Sequence, residues 1–291
     1  MMKKSLYHNH FAGMGTRFDL VLPGIDTANG DKIYRQIKAE IGRLEKKLSR
    51  FLPDSELTYI NQHAAKNFVK VDKEWITILE ECRKYYISTY SCFDVTLQQN
   101  FGKDHNKLSE VDNIVIDKND VTVHFANPGI KIDLGGFGKG YALDRVNDIL
   151  RSFNVKNALV SFGESSILAL GKHPYGNHWN IGVQHLFKPG ENIFVFNLEN
   201  NNMSTSGMLA RNGKLHYRKT ALINPINGQP VKKVRTISVK SVKAIDAEVL
   251  STALYVSPQN RKKKILSNFP ESEAIEAIYT NNIKESIFVL K

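Results

Sequence analysis

The chain has 291 residues and a formal net charge of +11, from 40 Lys and Arg against 29 Asp and Glu. That length suffices for one large domain or two small ones, and 42% hydrophobic with 24% charged residues is the balance of an ordinary globular protein. Two cysteines, Cys82 and Cys92, exclude a disulfide scaffold, no apolar run is long enough to span a membrane, and scattered lysines without a recognition motif suit anionic ligands better than nucleic acid.

Residues 16–22 alternate as a first strand, and Pro23-Gly24 ends it. Ile33, Ile37, Ile41, Leu44 and Leu48 share one face of a helix over Ile33 to Leu48. A turn at Pro53-Asp-Ser55 starts a short helix, and Trp75 to Thr89 is a long one with Cys82 on its core face. Residues 102–113 are polar and read as a loop. Residues 114–134 read as strands broken by hairpin-like turns at Asp117-Lys-Asn-Asp120 and Asn127-Pro-Gly129. Further strands are expected at 157–162, 179–183, 193–198, 235–242, 275–279 and 286–290, and helices at 246–256 and 259–268. The basic run Arg261-Lys-Lys-Lys264 reads as a solvated helix face or turn. His8, His10, His173, His178 and His185 lack any His-Glu-x-x-His spacing and read as surface or core residues. Irregular alternation of helix and strand gives an α+β class, with a mixed β-sheet core and flanking helices. With no linker visible, residues 11–291 form one domain of two intertwined α/β lobes, after an N-terminal extension over 1–10.

The segment Ile130-Lys-Ile-Asp-Leu-Gly-Gly-Phe-Gly-Lys-Gly-Tyr-Ala-Leu-Asp144 carries the chemistry. An alternating run leads into four glycines within six positions. Ala142, Val146, Ile149, Leu150 and Phe153 then repeat at helical spacing. A glycine bend at a helix N-terminus lets backbone N–H groups approach an anion, and Lys139 is placed to reach a phosphate. A P-loop would need Gly where Asp133 stands and Ser or Thr where Gly140 stands. A dinucleotide fingerprint lacks its third glycine at Tyr141. The plain alternative is a tight strand-to-helix turn without a ligand.

Several segments in order resemble the ApbE family of FAD:protein FMN transferases. They are Gly13-Met-Gly-Thr16, Leu48-Ser-Arg-Phe51 with Asp54-Ser55 and Asn61, Phe93-Asp-Val-Thr96, the glycine segment, Gly163 with Ala169-Leu-Gly171, Ser204-Thr-Ser-Gly207, Asn224-Pro-Ile-Asn-Gly-Gln-Pro230, and Leu250-Ser-Thr-Ala-Leu254. The resemblance implies an ApbE-like, T-fold-related architecture. It implies cleavage of FAD at its pyrophosphate with Mg²⁺, transfer of FMN to a Thr or Ser hydroxyl of an acceptor flavoprotein subunit, and release of AMP. It places Met14 and Phe51 at the flavin and Lys139, Asp144, Thr205 and Ser206 in the nucleotide pocket. It also puts the Gly138 carbonyl at the metal. Glu248 and Thr252, spaced i, i+4 on one helical face, are the expected Mg²⁺ ligands and catalytic pair. The plain alternative has Glu248 favouring the helix N-terminus and Thr252 packing.

Three positions depart from the family pattern. Glu248 stands where Asp is usual. The nearby Asp246 is i, i+6 from Thr252, about 600° of turn, and is expected as the helix N-cap instead. The usual His-x-x-Asp-Pro reads Ala221-Leu-Ile-Asn-Pro225, with His216 as a substitute only if the loop folds back. The usual Gly-Gly-Asp reads Gly163-Glu-Ser165, where Glu164 adds a carboxylate. These departures keep open a degenerate member that binds FAD, or hydrolyses it slowly, without flavinylating a partner. Lys3 and Lys4 are followed by no apolar h-region. The chain as it stands is therefore expected to be cytoplasmic, or periplasmic if an export signal was trimmed away.

Overall fold

A computed structural model of the chain describes residues 5–96, 109–163, 165–207, 209–211, 214–216, 222–225, 229–280 and 283–290. The N-terminal half runs β1 (Leu6–Gly13), β2 (Thr16–Pro23), α1 (Thr27–Leu48), α2 (Glu56–His63), β3 (Val69–Lys70), α3 (Lys73–Ser88), β4 (Ile114–Asp117), β5 (Thr122–Phe125) and α4 (Gly138–Ser152). It continues through β6 (Ala158–Phe162), β7 (Ser166–Leu170), β8 (Trp179–Gln184), β9 (Asn192–Leu198), β10 (Asn201–Gly207), β11 (Leu209–Arg211) and β12 (Lys214–His216). The last part holds β13 (Ile223–Asn224), β14 (Gln229–Pro230), β15 (Arg235–Ser241), α5 (Ala244–Val256), α6 (Gln259–Leu266), β16 (Glu273–Thr280) and β17 (Ile283–Leu290).

Eight strands form the main sheet in the order β1-β2-β6-β7-β10-β15-β16-β17. The α+β class stands as expected. Within it the sheet is antiparallel at every recorded pairing, rather than mixed in strand direction. Side chains alternate across its two faces. Phe18, Leu20, Val160, Phe162, Leu168 and Val239 enter one core with α1, α4 and α5. Ile167, Ala169, Met203, Ile275 and Ala277 enter a second core, which the β8–β9 hairpin covers with Trp179, Phe196 and Leu198. The central strands are therefore covered on both sides. Strand β7 is buried at all five positions, so it shows no alternation in sequence.

Local chemistry explains the elements nearest the site. Asp26 caps α1 by accepting from Asn29 N at 2.9 Å, and the expected face of Ile33, Ile37, Ile41, Leu44 and Leu48 is buried. Residues 6–10, expected as an extension, form most of β1. Strand β1 pairs with β2 through a two-residue turn at Met14 and Gly15, with φ of 48° and 73°. Both residues are left-handed, as a type I′ hairpin turn requires. The expected turn at 117–120 is present, with Asp117 Oδ1 accepting from Asn119 N and Asp120 N at 2.9 Å. The other two expectations in this region fail. No strand follows the bend at 126–129, and residues 130–134 join no sheet. The segment lacks a backbone ladder because a side chain replaces it. Asn61 Nδ2 donates to Ile132 O at 2.9 Å, Asn61 Oδ1 accepts from Ile132 N at 2.7 Å, and Asp133 N donates to Val95 O at 2.7 Å. Of the loop expected over 102–113, residues up to 108 lie outside those described, and Val111–Asn113 is a 3-10 turn.

Candidate functional site

The glycine bend is closed on Leu134, whose carbonyl accepts from Phe137 N at 3.0 Å and Gly138 N at 2.8 Å. Asp133 braces its entry. One carboxylate oxygen accepts from Gly135 N at 2.9 Å, and the other lies 3.1 Å from Arg50 Nε. Burial pushes this carboxyl above its ordinary range, and Arg50 opposes that. Helix α4 begins at Gly138 with no side-chain cap. Its first N–H groups and the positive end of its dipole face the bend without a side-chain acceptor.

Three of the glycines are set by what lies against them. A Cβ at Gly140 would sit 2.7 Å from Glu248 Cβ and 2.7 Å from Ile245 Cα, so α4 and α5 touch there with no room for a methyl group. A Cβ at Gly136 would lie 3.2 Å from Thr252 Oγ1, and one at Gly138 would lie 3.2 Å from Met14 Cε. Glu248 and Thr252 therefore do share one face of α5, and that face meets the bend. Helix α5 is enclosed nearly all round; Asp246 and Thr252 are its two residues short of full burial, as suits a central helix.

A hydrogen-bonded cluster is built on Glu248, which is 5% exposed. Oε2 accepts from Ser166 Oγ at 2.6 Å and Ser204 Oγ at 2.8 Å. Oε1 is ion-paired with Lys139 Nζ at 3.1 Å. Lys139 also donates to Ser165 Oγ at 2.7 Å and Ser166 Oγ at 2.8 Å. Ser251 Oγ lies 3.2 Å from Ser204 Oγ and 2.9 Å from Ser206 Oγ. A buried carboxylate is thus held by one cation and two hydroxyls, which offsets the cost of its burial.

The sequence as a whole matches a known group of proteins. The ApbE family model matches residues 14–278. The chain belongs to the ApbE family. It is 27% identical over 283 residues to a FAD:protein FMN transferase of Haemophilus influenzae, covering 87% of this chain and 81% of that protein. A FAD:protein FMN transferase of Escherichia coli K12 is 21% identical over 280 residues, covering 87% and 79%. In fold, the chain is similar to an ApbE protein of Thermotoga maritima, with TM-score 0.81 and 23% identity over 99% of this chain and 97% of the other. It is similar also to flavin transferase ApbE of Vibrio cholerae, with TM-score 0.82 and 19% identity over 99% and 98%.

Among the residues expected from the ApbE pattern, the structure brings together Met14, Gly138, Lys139, Ser206, Glu248 and Thr252 around the bend. Phe51 is 76% exposed, with the Arg50 guanidinium 4.2 Å over its ring. Through Arg50 this ring is tied to Asp133. Two expected residues point elsewhere. Thr205 alternates to the opposite face of β10 from Ser204 and Ser206, where its hydroxyl lies 2.8 Å from Ser238 Oγ. Asp144 turns to α5 and accepts from Ala244 N at 2.8 Å and Ile245 N at 3.1 Å. Burial, opposed by those two bonds, raises its pKa to about 6. Asp144 therefore fills the capping role expected of Asp246. The cap position itself is Lys243, without a side-chain bond. Asp246 lies in the first turn, accepting from Tyr85 OH at 2.6 Å.

Sequence reasoning missed Ser165, Ser166, Ser204 and Ser251. The departure Gly163-Glu-Ser165 reads as an added carboxylate at Glu164, and it is the serines that follow, Ser165 and Ser166, that hold Lys139 and Glu248. Ala221 and Glu164 lie outside the described residues; Asn224 pairs with Gln229 across β13 and β14. A cavity of about 430 Å³ between Leu159, His173, Tyr175 and Trp179 belongs to the second core's side of the sheet and includes none of the site residues. Among the described residues no three His, Cys, Asp or Glu side chains converge as a metal cluster.

Proposed function

We propose that this chain cleaves FAD at its diphosphate and joins FMN to a Thr or Ser hydroxyl of an acceptor protein, releasing AMP. The carrying observation is the bend itself: a helix N-terminus without a side-chain cap, a lysine, and the Glu248 carboxylate and Thr252 hydroxyl on a facing helix. In this reaction the acceptor oxygen bonds to the FMN phosphorus. The bond from that phosphorus to the bridging oxygen breaks, AMP leaves with the bridging oxygen, and the acceptor hydroxyl loses its proton. Such a transfer asks for positioning and charge neutralisation more than for covalent chemistry by the protein. The N–H groups of α4 and Lys139 would bind the diphosphate, and the exposed Phe51 ring would stack on the flavin.

Mg²⁺ fits the residues present. The donors at the bend are all hard oxygens: the Glu248 carboxylate, the Thr252 hydroxyl and backbone carbonyls such as that of Gly138. Glu248 accepts three contacts of the roughly four its oxygens can take, which leaves one direction on Oε1. When bound, Mg²⁺ would supply positive charge to the phosphate oxygens. Glu248 would anchor it and Thr252 would fix its orientation.

The experiment is incubation with FAD, Mg²⁺ and an acceptor protein carrying an Asp-Gly-x-Thr motif, read as covalent FMN by intact mass. A mass gain on the acceptor, dependent on Glu248, supports the transferase. Bound or slowly hydrolysed FAD with no acceptor modification supports the second reading, a degenerate binder, which Ala221 at the usual His position favours.

A further inference from the structure

Lys139 has two assignments that compete. The bend places it to meet a diphosphate, yet its ammonium is already engaged. Two of its three N–H donors go to Ser165 and Ser166, and its charge lies 3.1 Å from Glu248 Oε1. Glu248 is in the same position from the other side. It is the acidic side chain of the expected cation site, and an ammonium already neutralises it. Two ligands of opposite charge therefore have to share one internal ion pair.

We propose that Lys139 and Glu248 form a latch that couples the flavin nucleotide to the divalent cation. In the empty site each charge satisfies the other. The diphosphate draws Lys139 toward itself, and Glu248 becomes available to the cation. Cation bound at Glu248 in turn displaces the ammonium toward the diphosphate. Either ligand arriving alone meets a partner whose counter-ion is still in place; both together exchange one ion pair for two. Linkage makes the effect reciprocal, so each ligand tightens the other by one common factor. The serines make the exchange feasible. Ser166 and Ser204 keep two hydrogen bonds on Glu248 Oε2 after the lysine moves, so the carboxylate stays satisfied and in place. Ser165 and Ser166 give the ammonium a resting position when the site is empty. The inference rests on the flavin-transferase reading for the identity of the two ligands.

The test is calorimetry of MgCl₂ into flavin-free protein, together with FAD binding in EDTA by flavin fluorescence. In Lys139→Met the competing ammonium is gone. Mg²⁺ alone should then bind about tenfold more tightly than to wild type, within the usual range of site couplings. FAD in EDTA should bind more weakly. The Mg²⁺ gain should vanish when Lys139→Met is placed in a Glu248→Gln background, which shows that it acts through the carboxylate. Ser165→Ala keeps both charges and loosens the resting lysine, so it should shift Mg²⁺ affinity in the same direction by a smaller factor. It also supplies the reading if Lys139→Met folds poorly. Unchanged or weakened Mg²⁺ binding in these variants, no Mg²⁺ binding at all, or a gain that survives Glu248→Gln overturns the latch. Failure of wild type to bind FAD in either EDTA or Mg²⁺ overturns the functional reading instead, and the Mg²⁺ titrations are independent of that outcome.

Discussion

Asp144 shows how one residue serves the fold where the family resemblance assigned it to a ligand. Its carboxylate closes the N-terminus of α5 from across the α4–α5 contact, and so fixes the helix that carries Glu248 and Thr252. Burial raises its pKa to about 6, against an ordinary value near 3.8. An acid whose folded pKa is raised binds its proton more tightly in the native state, so ionising it costs stability. Below about pH 4 it is protonated folded and unfolded, and the cost is absent; between about 4 and 6 the cost appears; above 6 it is fully present. The shift corresponds to roughly 3 kcal/mol. Asp144→Asn keeps one capping oxygen and carries no charge. Its stability relative to wild type should rise by about 2–3 kcal/mol between pH 4 and pH 7, measured by urea unfolding at each pH. A difference that stays flat across that range would mean that Asp144 titrates with an ordinary pKa.

At the scale of elements, long periodic helices were legible and polar or doubly buried strands were not. The expected face of α1 is buried, and so is that of α3 at Trp75, Ile76, Leu79 and Cys82, though Tyr85 and not the expected Tyr86 completes it. Strand β7 escaped because both its faces are covered, and β10 escaped because Asn202, Ser204, Thr205 and Ser206 occupy positions where a strand usually shows apolar residues. The hydroxyls of Ser204 and Ser206 are the ones that reach α5. Residues 130–134 read as a strand because the pattern alternates, and no pattern reveals that Asn61 provides their backbone partners. For the site, glycine spacing and the i, i+4 pair gave Lys139, Glu248 and Thr252. The serines on Glu248 lie 82 and 44 residues away in sequence, where local periodicity carries no information. Helix α6 gave a further surprise. Its basic run was expected to be solvated, yet Lys262 is fully buried, 2.5 Å from Glu276 Oε1, with Arg235 3.1 Å from the same oxygen. Two cations share one carboxylate, so Glu276 stays ionised. Burial, reinforced by Arg235, pushes Lys262 down to about 8. For this lysine the folded pKa is depressed, so charging it costs stability below about pH 8, and the cost fades as pH rises toward 10.5. Lys262→Met leaves the Arg235–Glu276 pair in place. It should stabilise the protein at pH 7 by about 1–3 kcal/mol, the range for replacing a buried charge with a packed apolar chain, and the gain should shrink above pH 9 in thermal unfolding. Destabilisation at pH 7 would show that Lys262 is needed to balance Glu276.

For the whole molecule, the sheet separates two packing problems. Its helical face carries the bend, α4, α5 and every group of the Lys139–Glu248 cluster. Its other face carries the β8–β9 hairpin and the second core. Trp179 anchors that second core, almost fully buried, with Nε1 donating to Leu170 O at 3.2 Å and His173 packed edge-on at 5.0 Å. Trp179→Ala should cost about 3–5 kcal/mol, the usual penalty for emptying a large aromatic site. None of the site residues lies in that core, so FAD affinity should stay within twofold of wild type. The two facts combine in a single measurement. A ligand that binds only the folded chain stabilises it by about 2.7 kcal/mol at a hundredfold excess over its Kd. That increment depends on affinity alone, and so FAD with Mg²⁺ should add the same free energy to wild type and to Trp179→Ala, although their baselines differ. Chelating Mg²⁺ should reduce the increment equally in both. If instead Trp179→Ala loses the FAD-induced stabilisation, the hairpin face communicates with the bend through the sheet, and the two cores form one cooperative unit around the site.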